Sequence, residues 1–230
     1  MYEDPPLLTI KRPSRRPSEA QIEAFTGVPT AVVSDAMDGR GALSNTIRHL
    51  DPALPPSVCG PALTVWTGAA DLLSLHAVKR IATPGDVVVH AFDGHQGCAA
   101  FGDSLAGMMR NAAVAAMITD GPVRDVTGLI ALGMPVWCTG SIAATPYENG
   151  PGTAGLPVNI GAQRVETGDM IVADRDGVVV VPFDEIDAVA ERSARILTME
   201  AEGDKAVRDG LVMPDIYDRR LDTDRVKWID

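Results

Sequence analysis

Four lysines in 230 residues, Lys11, Lys79, Lys205 and Lys227, leave little scope for covalent chemistry through an amine. All four lie in polar stretches, whereas a Schiff-base lysine needs a desolvated setting. The chain has no G-x-S-x-G, so a serine hydrolase built on that elbow is excluded. Cysteine is scarce: Cys59, Cys98 and Cys138 form an odd set with no C-x-x-C pair. That is the pattern of reduced thiols in a cytoplasmic protein, not of a disulfide scaffold. No apolar run is long enough to span a membrane, and Met1-Tyr2-Glu3-Asp4 does not read as a secretory signal, so no membrane partner is expected. Positive charge is in deficit as well. A formal net charge of −11 argues against nucleic acid, which is bound through basic faces. A small anionic substrate remains compatible, since one arginine or a metal ion overrides the global field locally.

What is present is an ordinary globular composition, 46% apolar and 22% charged, in a chain long enough for a substantial core. The pattern alternates helical and strand-like segments, which points to an α/β fold. Ser18 with Gln21 forms a capping box for a helix through Ala24, and a second helix is expected over Ala31–Met37. Val58–Trp66 reads as a strand, Leu72–Ile81 as a helix, and Val87–Val89 as a buried strand. Pro135–Cys138 is another short strand. Ile171–Ala173 and Val178–Val181 form a hairpin across Gly177. A helix follows from about Glu185 to Glu202, with Ile186, Val189, Ser193 and Ile196 spaced for burial. Residues 1–17 read as an arm. The polar tail over 203–230 suggests packing on a neighbouring subunit.

Two tempting motifs fail. Gly150, Gly152 and Gly155 spell G-x-G-x-x-G, but no strand precedes them and no helix follows, so they lack the context of a dinucleotide fingerprint. His90, Asp93, His95 and Cys98 invite zinc, yet their spacing matches no tetrahedral site, and a strand-end loop turning at Asp93-Gly94 accounts for them equally.

The stretch with most chemical content is Phe101–Val126. Gly102-Asp103 opens a helix over Ser104–Asn111, an apolar run covers Val114–Thr119, and Asp120-Gly121-Pro122 turns into Arg124-Asp125. A helix–strand unit of this kind brings both polar points to one cleft. The N–H groups around Gly102, Ser104 and Leu105 suit a carboxylate or phosphate. Arg124 offers a two-point grip on an oxyanion, and Asp125 is a hard ligand suited to Mg²⁺ or Mn²⁺. The plainer reading stands beside this one: Asp103 caps its helix and Arg124-Asp125 is a solvated turn.

Gly102-Asp103-Ser104-Leu105 followed by Asp120-Gly121-Pro122-Val123-Arg124-Asp125 resembles the RraA-like family. The likeness extends over about residues 28–200 and takes in Ser34-Asp35-Ala36, Pro84-Gly85-Asp86-Val87 and the strand before Pro182. It implies a swivelling β/β/α domain with a mixed central sheet flanked by helices, assembled as a homotrimer or homohexamer. In the family's aldolase branch, the class II 4-hydroxy-4-methyl-2-oxoglutarate / 4-carboxy-4-hydroxy-2-oxoadipate aldolases, Asp125 would ligate Mg²⁺ (or Mn²⁺) and Asp103 would hold it through water. Arg124 would grip the keto oxygen, and the amides of Ser104 and Leu105 the pyruvyl carboxylate. Glu200 or Glu202 of a neighbouring subunit would complete the metal's surroundings. The implied reaction is a retro-aldol releasing pyruvate, with oxaloacetate decarboxylation as a companion. The other branch implies a non-enzymatic regulator that binds a ribonuclease or helicase. The chain departs from the aldolases after Val136-Trp137, where Cys138-Thr139-Gly140-Ser141 replaces a basic residue, and His95 is the substitute expected to contact substrate.

Overall fold

The computed structural model describes residues 6–229, so Met1–Pro5 of the expected arm and Asp230 of the tail lie outside the described residues. In chain order the elements are β1 (Leu8–Ile10), α1 (Glu19–Glu23), α2 (Thr30–Ala36), β2 (Arg48–His49), β3 (Val58–Trp66) and α3 (Leu73–Val78). Next come β4 (Val87–Ala91), α4 (Asp103–Asn111), β5 (Ala116–Thr119), α5 (Val126–Leu132), β6 (Val136–Cys138) and β7 (Gly152–Ala154). The chain continues with β8 (Val158–Ile160), β9 (Gln163–Val165), β10 (Met170–Ala173), β11 (Val178–Val181), α6 (Ile186–Arg208) and α7 (Asp215–Leu221).

Strands β3, β4, β5 and β6 run parallel, in register through Val65, His90 and Thr119 and through Val89, Ile118 and Trp137. Antiparallel β10 and β7 attach to opposite halves of β3, and β2 runs antiparallel to β6. The result is a mixed central sheet. Period-two alternation splits its side chains between two cores. One core joins Val88, Phe92 and Met117 to Leu75 and Val78 of α3, Leu105 and Met109 of α4 and Leu129 of α5. The other joins Val87, Val89, Ile118 and Trp137 to Val158, Ile160, Ile171 and Val180, so a second β layer covers that face. Helices on one face and strands on the other give the layered β/β/α arrangement. Each fully buried Val, Ile or Met contributes about 1.5–3 kcal/mol, so neither core is a minor one.

Local chemistry explains the elements that were readable. The capping box at Ser18 and Gln21 is present in both directions. Arg15 and Arg16 pin the described part of the arm to the chain itself. Arg15 bonds Glu166 and Asp169 and stacks on Phe183, and Arg16 pairs with buried Asp86.

Other segments differ from expectation. The apolar run from Val114 follows a turn at Ala112-Ala113, with Ala113 at φ +59°, and the strand is confined to Ala116–Thr119. Helix α5 had no sequence signal: no side chain caps it among the described residues, and Gly128 interrupts its middle. The glycine-rich Asn149–Gly155 segment contains β7, paired parallel to β1, but three-residue strands carry too little periodicity to be read. Helix α6 continues past Gly203 to Arg208.

The chain divides into two units, Met1–Ser193 and Ala194–Asp230. In the second, Val207, Val212, Ile216, Tyr217, Trp228 and Ile229 are exposed, Val212 at 96% and Trp228 at 80%. No helix among the described residues is long and apolar enough to cross a membrane.

Candidate active site

The loops leaving the C-terminal ends of β4 and β5 meet at the start of α4, the edge at which open α/β sheets receive ligands. Gly102 precedes α4 in extended conformation, with φ −131° and ψ −171°. Its backbone is bracketed by two turns: Arg124 N–H donates to Phe101 O, and Ala100 N–H to Pro122 O. A Cβ on Gly102 would run into Asp125 Oδ2 and the Arg124 side chain. The glycine is therefore needed for close approach, not for an unusual φ. Because Gly102 offers no side-chain cap, the first-turn N–H groups of Ser104 and Leu105 are left to a ligand.

Asp125 takes a left-handed conformation, φ +57° and ψ +43°, at the entry to α5. That region costs a residue with a Cβ, and aspartate tolerates it better than most. The turn presents Arg124 and Asp125 side by side at a cavity of about 160 Å³ that is also lined by Phe101, Gly102, Ser104, Leu105 and Met108. A second, open depression of about 390 Å³ reaches the same pair beside Ser141, Ile142 and Ala143. Arg124 Nε donates to Asp125 Oδ2 at 3.2 Å, and Nη1 donates to Thr145 Oγ1 at 2.8 Å. Both side chains stay partly open, at 36% and 44% exposure. The contact uses Nε alone, so it is not the two-point fork that would close the pair on itself.

Asp103 lies in the first turn of α4, and its carboxylate packs where a Cβ on Gly128 would stand. The glycine that weakens α5 thus makes room for an acidic side chain beside a second helix start. The donor set suits a hydrated divalent cation. Asp125 supplies one half-exposed carboxylate at the cavity, Asp103 sits in the adjoining first turn of α4 against Gly128 and does not line the cavity, and no cluster of three or more His, Cys, Asp or Glu suited to a metal occurs among the described residues. Mg²⁺ is ordinarily held in this way, by one or two carboxylates and several waters.

The other end of the cavity is formed by Leu72, His76, Pro146 and Glu148. Lys79 Nζ donates to His76 Nδ1 at 3.0 Å and also contacts Met108 Sδ at 3.1 Å. Burial first, and then the Lys79 charge, hold the His76 pKa below its ordinary value, with Glu148 opposing them.

Several residues singled out in the sequence lie elsewhere. His95, expected to contact substrate, does not line this cavity; its ring meets the edge of Phe92 and folds over Gly97. The four residues that suggested zinc take separate surroundings. His90 is fully buried with Nε2 on Thr67 Oγ1 at 2.8 Å, Asp93 accepts from the Trp66 indole at 2.8 Å, and Cys98 is buried. Burial alone pushes His90 down to about 3. Cys138, in the segment that replaces a basic residue, is buried and its thiol is pushed up to about 11. Glu200 and Glu202 are exposed and belong to the second unit.

Three structural roles were missed. Asp120, already prominent in the motif, accepts from the N–H groups of Phe92 and Gly94 at 2.6 and 2.9 Å and so ties the β4 loop to the site turn. Thr145 orients Arg124, and Gly128 seats Asp103. Only Asp120 had a local signal, as part of the Asp120-Gly121-Pro122 turn; the partners of Thr145 and Gly128 are distant in sequence or lie on a helix that was not readable.

The match to known proteins takes in the same stretch. The family model described as RraA-like, Aldolase/RraA, matches residues 30–180. A protein of Halalkalibacterium halodurans with the provisional name 4-hydroxy-4-methyl-2-oxoglutarate aldolase is 32% identical over 198 residues, 85% of this chain and 93% of its own. A Burkholderia mallei protein with the same provisional name is 29% identical over 66% of this chain and 93% of its own. Among solved structures, an uncharacterised Pseudomonas syringae protein has the same fold, with a TM-score of 0.75 at 21% identity over 86% of this chain and 96% of its own. Streptomyces coelicolor RraAS2, described as an unusual member of the RNase ES inhibitor RraA family, aligns at a TM-score of 0.70 and 27% identity over 84% of this chain and 100% of its own. With the mixed sheet, the Gly102 approach and the Arg124-Asp125 turn on one cavity, the chain belongs to the RraA-like family.

Proposed function

We propose that the protein is a metal-dependent carbon–carbon lyase that cleaves a 4-hydroxy-2-oxo acid by retro-aldol and releases pyruvate. One observation carries the reading: Arg124 and Asp125 open together onto a cavity that also receives an uncapped helix start. In this proposal the N–H groups of Ser104 and Leu105 bind the substrate's C1 carboxylate, and Gly102 lets it approach. Arg124 donates to the 2-keto oxygen. The 4-hydroxyl loses its proton towards the Asp103 side of the site, and C4 becomes the carbonyl of the departing product. The electron pair of the C3–C4 bond passes to the pyruvate enolate, whose oxygen charge rests on Arg124. Protonation at C3 then completes pyruvate. Mg²⁺ (or Mn²⁺) held by Asp125 supplies Lewis acidity for the keto oxygen when bound.

The same enolate forms when oxaloacetate loses CO₂, so decarboxylation belongs to the proposal. So does a homotrimer or homohexamer in which Glu200 or Glu202 of a neighbouring subunit completes the metal's surroundings. The exposed apolar residues of the second unit support assembly. The provisional names of the relatives support aldol chemistry, and a docking surface for a ribonuclease has no need of an open Arg124-Asp125 pair.

The test is pyruvate release, coupled to lactate dehydrogenase, from a panel of 4-hydroxy-2-oxo acids and oxaloacetate, with and without chelator. Release should need the divalent ion and fall by about 10²-fold or more in Asp125→Ala. Undiminished turnover in EDTA overturns the metal-dependent reading.

A further inference from the structure

Two groups at the far end of the cavity, His76 and Glu148, are not used by the retro-aldol chemistry. Because Lys79 donates to His76 Nδ1, the His76 proton sits on Nε2, a donor. Glu148 Oε1 lies 4.0 Å from that nitrogen, too far for a direct hydrogen bond. A donor and an acceptor therefore flank one space with capacity to spare. The burial and the Lys79 charge that lower the His76 pKa keep this ring neutral at pH 7.

The wall is built, not incidental. Tyr147 N–H donates to Ala70 O at 2.7 Å, and Leu72 N–H to Tyr147 O at 2.9 Å. On the other side of Glu148, the N–H groups of Asn149 and Gly150 donate to buried Asp71 at 2.6 and 3.0 Å. Glu148 is thus held by its backbone on both flanks, although its side chain is 63% exposed. Met108, which Lys79 touches, lies roughly 9 Å along α4 from Gly102 at 1.5 Å per residue. A five- or six-carbon acid anchored at the helix start extends towards this wall.

The geometry points to a substrate whose far end carries a hydroxyl, not a second carboxylate, read by His76 Nε2–H as donor and by the Glu148 carboxylate as acceptor. A hydroxyl satisfies both partners. A carboxylate only accepts, and it would face the like charge of Glu148. Lys79 does not line the cavity; its ammonium is engaged by His76 and Met108. Solvent around Glu148 weakens the repulsion, so a preference is expected and not complete exclusion. This departs from the dicarboxylate in the names of the aldolase relatives. It rests on the lyase reading only for the end of the ligand held at Arg124.

The experiment is calorimetric binding, with Mg²⁺ present, of 5-hydroxy-2-oxopentanoate and 2-oxoglutarate. These probes have equal chain length and no 4-hydroxyl, so neither undergoes retro-aldol cleavage. Wild-type protein should bind the hydroxyl probe about tenfold more tightly, and Glu148→Gln should bring the two within about threefold. Glu148→Lys should favour 2-oxoglutarate. Circular dichroism confirms that the variants are folded. Equal or tighter binding of 2-oxoglutarate by the wild type, or an unchanged ratio in Glu148→Gln, overturns the inference. Binding of neither probe overturns it together with the placement of the ligand. Preference for the hydroxyl probe without pyruvate release from any 4-hydroxy-2-oxo acid sinks the lyase reading alone and leaves the inference standing.

Discussion

The two ends of the cavity are built on different principles. At one end, Arg124 and Asp125 are placed by backbone, through a left-handed residue at 125 and a glycine at 102, while a glycine at 128 seats the neighbouring Asp103. At the other, His76 is held by a side-chain bond to Lys79, and the Glu148 side chain reaches into solvent from a backbone pinned on both flanks, so neither functional group is fixed by a crowded backbone. Backbone placement tolerates almost no substitution, since a single added methyl overlaps the carboxylate or the guanidinium. Side-chain placement can be rewritten one residue at a time. The reaction chemistry we propose sits at the first end, and the proposed discrimination between substrates at the second.

The severest way to break this contrast is Gly102→Ala. The new Cβ overlaps Asp125 and Arg124, so pyruvate release should drop by about 10²-fold, measured as kcat/KM beside a melting curve that shifts by only a few degrees. A variant that keeps full activity would mean that the pair is not positioned as the structure has it.

Acid tests a group that lies outside this contrast. The unfolded chain protonates its histidine at about pH 6.5, whereas His90 in the folded protein resists protonation down to about 3. Stability should therefore fall as the pH drops below about 6.5, by about 1.4 kcal/mol per unit. Urea unfolding at pH 7 and pH 5 should show about 2 kcal/mol more loss in wild type than in His90→Gln.

Gly128→Ala sharpens the comparison by reversing a familiar sign. In an open helix the change gains up to about 1 kcal/mol, but here the Cβ meets Asp103, so the melting temperature should fall and activity drop by about tenfold. The mildest change is Thr145→Val. It removes one exposed bond to Arg124 and should lower kcat/KM by about threefold, with part of the loss in kcat.

Legibility in the sequence followed distance along the chain. Ser18 and Gln21 announced their helix because both capping partners lie within one turn. Val58–Trp66 was readable as a strand because Val58 and the run Thr64-Val65-Trp66 are strand-forming and the segment follows a proline-rich turn. Gly102, Arg124 and Asp125 fell within one short stretch, and the structure brings them to one cavity. Helix α5 was not readable, because its glycine and missing cap serve Asp103 and Asp125 and not the helix. His95 looked available from its loop, yet its ring found closer neighbours in Phe92 and Gly97.

By itself the sequence determined the alternation of buried strands and amphipathic helices, and the paired acidic and basic groups of the Phe101–Val126 stretch. Both are written in spacings of a few residues, where backbone geometry leaves little choice. Only the tertiary structure decided that His76 and Glu148 share a cavity with Arg124, and that Gly128 gives way to Asp103. Those meetings depend on how the sheet and its helices pack, and no local pattern of residues encodes which distant side chains a packed core will bring together.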